Sequence, residues 1–389
     1  MELRELHAKV EQIQDKVIAW RRQLHANPEL SFQEIKTAQF VHDTLQSFGN
    51  LEVSRPTKTS VMARLIGGKP GKVLALRADM DALPLREENA VGYASNNAGV
   101  MHACGHDGHT AMLLGTACIF SGMKEELEGE VRFFFQHAEE LFPGGAKEMV
   151  EAGVMNGVDY VLGAHVFPGL EKGKVSVGRG IRCAAPDTFE ITIIGKGGHA
   201  AHPETSVDPI AIGAQVVSNL QHIVARQIDA LDNVVISITQ FHAGTADNII
   251  PDEVKMCGTV RSFDPKLREY APQAMERIIK GITEAHRASY MFKYQDGYDP
   301  LINDAEVATI LERAACELFG DTVLETMKPS MGGEDFSAFL QKAPGAFFRV
   351  GVGEPNQDNY PLHHSRFDFD EKALSVGIKL FVHAKSKLN

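Results

Sequence analysis

Through the first third of the chain, short apolar runs alternate with helix-like stretches, and the reactive side chains follow the apolar runs. Val73–Arg77 reads as a buried strand, His109–Phe120 as a helix, Glu130–Gln136 as a second strand, Gly144–Ala152 as a short helix and Val158–His165 as a third strand. Strands alternating with helices predict a mostly parallel α/β sheet with flanking helices. Ligands of such sheets gather beyond the carboxyl ends of the strands. Asp79 and Asp81 follow the first run, Glu139 and Glu140 the second, and His165 ends the third.

Near Ala184 the texture changes. Thr188–Gly195 alternates apolar and polar residues, Pro209–Gln227 is amphipathic, Asn233–Phe241 and Glu253–Ser262 have a period of two, and Tyr270–Arg287 is again helical. The β-α-β-β-α-β order is the ferredoxin-like one, so residues 184–296 are expected to form an inserted α+β domain. After Asp299-Pro300 the α/β character returns, with a helix at Asp304–Leu318, a strand at Ala346–Val352 and a closing helix at Glu371–Lys385. The expected plan is a discontinuous catalytic domain (1–183 and 297–389) carrying a lid or dimerisation insert (184–296). A chain of 389 residues suits two cores better than one.

The formal charge of −12 and the lack of any Lys/Arg run disfavour nucleic acid and anionic membrane surfaces as partners. The five cysteines are odd in number and far apart, which argues against a disulfide framework and for a reducing, cytoplasmic setting. The amino-terminal stretch Glu2–Arg22 is charged and helical, without an apolar export segment, and no apolar run is long enough to span a membrane.

The densest chemistry is Cys104-Gly105-His106-Asp107-Gly108-His109, followed by Glu139-Glu140. Thiolate, imidazole and carboxylate together suit Zn²⁺ and ions of similar softness rather than Ca²⁺ or Mg²⁺. Of two adjacent glutamates on a short loop, one can hold a cation while the other faces substrate, which is what a hydrolytic general base requires. Asp79 and Asp81 read either as part of this site or as an Asx turn closing a strand. His165 and the His363-His364 pair read as ligands only in company with the others. In the insert, Gly195–Pro203 carries His199 and His202, and Gly244–Pro251 carries Asn248. Arg261, on an otherwise apolar strand, suits either capture of a carboxylate or a salt bridge within the insert. Gly332-Gly333-Glu334-Asp335-Phe336 reads as a loop into a helix amino terminus, able to hold an anion.

Taken together these segments resemble the dimetal amidohydrolase and peptidase family of aminoacylases, hippurate hydrolases, indoleacetyl-amino-acid hydrolases and carboxypeptidase G-type enzymes, the aminoacylase branch most. The resemblance runs from His25-Ala-Asn-Pro-Glu-Leu30 to His364-Ser365. It implies two divalent ions per subunit (Mn²⁺, Zn²⁺ or Co²⁺) held by Cys104, His106, Glu140, His165 and His364. Glu139 is the implied general base, Asp81 the residue that orients a ligand, and His199 and Asn248 the groups that close on substrate. It implies Arg261 as the anchor for the substrate carboxylate, and Gly333 is expected at the substrate. The implied substrate is a small N-acylated amino acid or dipeptide, and the implied assembly a homodimer or homotetramer formed through the insert. The chain departs from the pattern twice. Asp79 stands where the wider clan has histidine, and His137 stands where the branch commonly has proline before Ala-Glu-Glu.

Overall fold

A computed structural model describes residues 2–355 and 359–388. The chain forms two compact units, one of Met1–Arg182, Ile302–Lys328 and Asp335–Asn389, the other of Cys183–Leu301 and Pro329–Glu334. The short stretch Pro329–Glu334, which carries Gly333, therefore goes with the second unit rather than with the sequence that flanks it.

The first unit is built on a seven-stranded sheet. Its middle strands Glu128–Gln136, Lys69–Asp79, Tyr160–Glu171 and Gly345–Gly353 are mutually parallel. Antiparallel strands flank them: Val61–Ile66 and Glu52–Ser54 at one edge, Val175–Ser176 at the other. Phe133, Phe134 and Phe135 are successive and all buried, as a strand covered on both faces requires. The register of the parallel strands gathers the reactive residues. Asp79 pairs with Gln136, and Arg77 with Gly163, so these strands deliver Asp79, the Glu139-Glu140 loop and His165 to one end of the sheet.

The helix His106–Ser121 is buried along its whole length apart from Cys118. A helix apolar on all sides belongs in the core, and it packs against the helices Leu3–Ala26 and Leu374–Lys387. It starts three residues earlier than the apolar pattern alone suggests, so His106 and His109 both lie in its first turn. Sequence periodicity did not disclose the helix Ile35–Ser47 or the two antiparallel edge strands Glu52–Ser54 and Val61–Ile66.

In the second unit the sheet order is Val234–Ala243, Glu253–Ser262, Ala185–Ile194, Ser289–Gln295, antiparallel throughout. Inward residues such as Phe189, Ile191, Ile193, Met256 and Val260 pack with Val216, Leu220 and Ile223 of the helix Pro209–Arg226 and with Met275 and Ile279 of Pro265–Ala285. Both helices begin with an aspartate cap and a proline in the first turn: Asp208 accepts from Ile210 N and Ala211 N, Asp264 from Lys266 N and Leu267 N. This cap moves the second helix start ahead of the expected Tyr270. No helix among the described residues is long and apolar enough to cross a membrane.

Candidate metal centre

The loop after Lys69–Asp79 and the first turn of His106–Ser121 face each other across the sheet end. Asp81 is buried and links three segments: Oδ1 lies 3.1 Å from His106 Nδ1, while Oδ2 accepts from Ser31 Oγ at 2.7 Å and from Glu140 N at 3.0 Å. On the other side of Glu139, Ala138 has φ of 50°. Its N–H is taken by the buried Glu34 at 2.8 Å. Two carboxylates thus grip the backbone on either side of Glu139, which is itself buried.

His106 directs its second nitrogen, Nε2, inward, where it is buried with no hydrogen-bond partner among the described residues. That nitrogen lies 3.8 Å from Asp79 Oδ2 and 4.0 Å from Glu140 Oε1. His165 donates Nδ1–H to its neighbour's carbonyl, Val166 O, at 2.6 Å and turns Nε2 toward Cys104 Sγ at 3.4 Å. Glu140 Oε1 lies 3.1 Å from His363 Nε2, yet forms no aligned hydrogen bond. Donor atoms of Cys104, His106 and His165 lie within 4.8 Å of one another; so do those of Cys104, Glu140 and His363, and those of His106, Glu139 and Glu140. Donor atoms crowded around shared points, with the buried His106 Nε2 and Glu140 Oε1 left without a hydrogen-bond partner among the described residues, suit a cation.

Electrostatics agree. Burial, then the charges of Glu140, Glu139 and Asp79, push the Cys104 thiol well above its ordinary value, so a thiolate there needs a cation beside it. Burial opposes an imidazolium at His106, but Asp79, Asp81 and Glu140 outweigh it and push the pKa up to about 10. Burial and the nearby His109 hold His165 well below the usual imidazole range. The His106 shift describes surplus negative charge; the His165 shift describes a neutral imidazole, the form that ligates. Three overlapping groups, joined through Cys104, His106 and Glu140, have room in their donor count for two divalent ions, and the thiol–imidazole–carboxylate chemistry fits them.

One ligand expectation needs correction. His363, not His364, faces Cys104 and Glu140. His363 adopts φ of 65° and donates its N–H to Ala103 O at 2.8 Å, which seats it beside the Cys104 loop. His364 turns the other way: its Nδ1 accepts from Arg366 N at 3.0 Å and its ring stacks on Tyr360 at 4.6 Å. Adjacent residues on a turn point apart, and sequence does not say which faces inward. The anion-holding loop is also corrected, since the helix after it spans only Ser337–Leu340. Asp335 there accepts from Arg77, from Gln136 Nε2 and from Ala146 N.

The buried Arg77 and Glu34 carry roles that the sequence did not reveal; a lone arginine ending an apolar run was the one signal available for Arg77. His137, the other departure, is buried with Nε2 3.0 Å from Glu148 Oε2 and its ring edge on Phe32.

The remaining expected residues lie in the second unit. His199 is exposed; its Nδ1 accepts from Ala201 N at 3.0 Å, which leaves Nε2 as the proton-bearing nitrogen. Asn248 O accepts from Ala200 N at 3.1 Å, joining the two loops. Arg261 is half-buried on the open face of the sheet, in a depression of about 380 Å³ lined also by Thr188, Thr239, Thr259 and Lys293. It has no hydrogen bond or ion pair among the described residues. Gly333 packs on Pro186, which a Cβ would overlap.

The profile of Peptidase family M20/M25/M40 matches residues 75–386. An N-acyl-L-amino acid amidohydrolase of Geobacillus stearothermophilus is 66% identical over 299 residues, 77% of this chain and 81% of that protein. Thermostable carboxypeptidase 2 of Saccharolobus solfataricus is 45% identical over 372 residues, 95% of this chain and 94% of that one. Among solved structures, the Bacillus subtilis YXEP protein, described as a dinuclear metal-binding peptidase of the M20 family, superposes with a TM-score of 0.84 at 37% identity, covering 96% of this chain and 98% of the other. This chain, with its cysteine, histidine and glutamate side chains clustered at the end of a parallel sheet, belongs to Peptidase family M20/M25/M40.

Proposed function

We propose that the protein is an N-acyl-L-amino acid amidohydrolase that uses two divalent ions, Mn²⁺, Zn²⁺ or Co²⁺, held by Cys104, His106, Glu140, His165 and His363. The observation that carries this reading is the convergence of those donors beside the buried Glu139. When bound, the ions supply a Lewis acid for the amide carbonyl and lower the pKa of water.

The chain's own groups do the rest. Glu139 takes the proton of the attacking water and passes it to the leaving nitrogen. Its loop is held by Glu34 on one side and Asp81 on the other, so the carboxylate needs little reorganisation. Asp81 fixes the His106 ring so that Nε2 points inward. His199, with Nε2–H exposed, supplies a donor for the oxyanion. Arg261, a cation with no hydrogen bond or ion pair among the described residues, takes the carboxylate of the amino-acid half. These last two assignments give the second unit the work of holding substrate, and we assign it the subunit contact as well.

The test is hydrolysis of N-acetyl-amino acids, N-benzoyl-amino acids and dipeptides by the Mn²⁺- and Zn²⁺-loaded protein. Preference for the acylated substrates is expected. Exclusive cleavage of free dipeptides would favour the carboxypeptidase reading that the Saccharolobus relative's name raises. Glu139→Gln should keep its metal and lose on the order of 10²-fold or more in kcat. Glu140→Gln should instead bind less metal. Near-normal turnover by Glu139→Gln with full metal would remove Glu139 from the mechanism.

A further inference from the structure

A buried run of polar contacts connects the strand ends Lys69–Asp79 and Tyr160–Glu171, and all of it but its last member, His165, lies outside the proposed ligand set. Arg77 sends Nη1 to Asp79 Oδ2 at 2.6 Å, Nη2 to Asp335 Oδ1 at 2.7 Å and Nε to Gln136 Oε1 at 2.7 Å. Asp79 Oδ1 meets His109 Nδ1 at 2.6 Å. The other ring nitrogen, His109 Nε2, accepts the Val166 N–H at 2.9 Å. The carbonyl of that same residue accepts His165 Nδ1–H at 2.6 Å. Arg77, Asp79 and His109 are all fully or almost fully buried.

The direction of each bond follows from chemistry. A peptide N–H can only donate, so His109 Nε2 carries the lone pair and Nδ1 the proton, which goes to Asp79. Asp79 is an acceptor on both oxygens and is therefore ionised against Arg77. Both nitrogens of His109 are committed. It lies within 4.8 Å of donor atoms of Asp79 and His106, yet it has no lone pair left for a cation. A peptide carbonyl can only accept, so His165 Nδ1 carries a proton and Nε2, 3.4 Å from Cys104 Sγ, carries the free pair.

We propose that His109 is a positioning residue for His165. By holding the N–H of Val166, it fixes the local backbone whose carbonyl, on the same residue, selects the His165 tautomer that offers Nε2 to a cation. The inference rests on the reading of His165 as a metal ligand. Loss of a group that orients a ligating imidazole costs about 10- to 100-fold in metal affinity.

The experiment uses the full-length, metal-stripped protein. Zn²⁺ is titrated against a chromophoric chelator, and Co²⁺ loading is followed by thiolate-to-metal charge-transfer absorption from Cys104, beside His165. The variants are H109A, H165A and the double variant, with H109Q as a milder change that keeps an acceptor for the Val166 N–H. Expected is a loss of about 10- to 100-fold at one of the two binding steps in H109A, with a weaker charge-transfer band. H109Q should lose less, and H109A should add little in the H165A background. Wild-type affinity in both H109A and H109Q would overturn the proposal. So would equal weakening at both steps that persists in the H165A background, the signature of general loosening or of His109 ligating independently. If H165A itself binds Zn²⁺ as the wild type does, the ligand reading fails and takes this inference with it; loss in H165A without loss in either His109 variant defeats this inference alone. H109Q completes the same cycle should H109A not fold.

Discussion

Gly105, between the proposed ligands Cys104 and His106, is the position where one methyl group should do the most measurable damage. It has φ of 85° at the start of the buried helix, and an added Cβ would overlap Val166 Cγ2. Gly105→Ala therefore carries two costs. The left-handed backbone costs an alanine roughly 1–2 kcal/mol. The steric overlap with a buried valine costs about 1–3 kcal/mol more, because Val166 is fully buried and its peptide is tied to His109 and His165. The sum is roughly 2–5 kcal/mol. The one tryptophan, Trp20, lies in the first unit and packs on Phe48, so its fluorescence in a urea titration of metal-free protein reports that unit. Val166→Ala separates the two costs. In the double variant the steric part should vanish, a coupling of about 1–3 kcal/mol, while the backbone part stays. A Gly105→Ala protein within about 0.5 kcal/mol of wild type, or costs that simply add in the double variant, would refute this account of Gly105.

Three further outcomes are expected from the contacts already described and from one buried ion pair. His363→Ala should lower metal content in equilibrium dialysis while His364→Ala leaves it near wild type; the reverse result would restore His364 as the ligand. His25 lies 2.7 Å from Asp107 and 3.1 Å from Glu87; burial opposes its charge, but these carboxylates hold its pKa up at about 9. A raised imidazole adds stability that is fully present below the unfolded value near 6.5 and is lost as pH rises through 9, so stability should fall by on the order of 3 kcal/mol across that window. His25→Gln should flatten the slope, and an unchanged slope would show that another group titrates. Arg261→Ala and amidation of the substrate carboxylate should each reduce kcat/KM, and the two losses should not add; equal amide penalties in wild type and variant would show that Arg261 does not read the carboxylate.

Much of the site was legible because its parts are neighbours in sequence. Cys104 and His106 sit in one hexapeptide, Glu139 and Glu140 are adjacent, and the glutamates follow an apolar run whose composition already implied a buried strand end. The limits appear where identical side chains compete. His106 and His109 are three residues apart in the same first helical turn, yet one keeps a bare inward nitrogen and the other spends both nitrogens on Asp79 and Val166. His363 and His364 differ only in which way a turn with φ of 65° throws each ring. Glu34 had no sequence signature, because its partner, the N–H of Ala138, is a backbone atom far along the chain.

Sequence alone determined what depends on a few consecutive residues: the strand and helix periods, the mostly parallel sheet, and a donor set of thiolate, imidazole and carboxylate. Those follow from local sterics and side-chain chemistry, which act over one or two turns of chain. The tertiary structure decided which donors keep a free lone pair, because that depends on partners brought from afar: Val166 to His109 across 57 residues, Asp335 to Arg77 across 258, Asp81 to Glu140 across 59. A buried nitrogen or oxygen must be satisfied by something, and only the packed fold decides whether a neighbouring peptide satisfies it or it is left facing a cation.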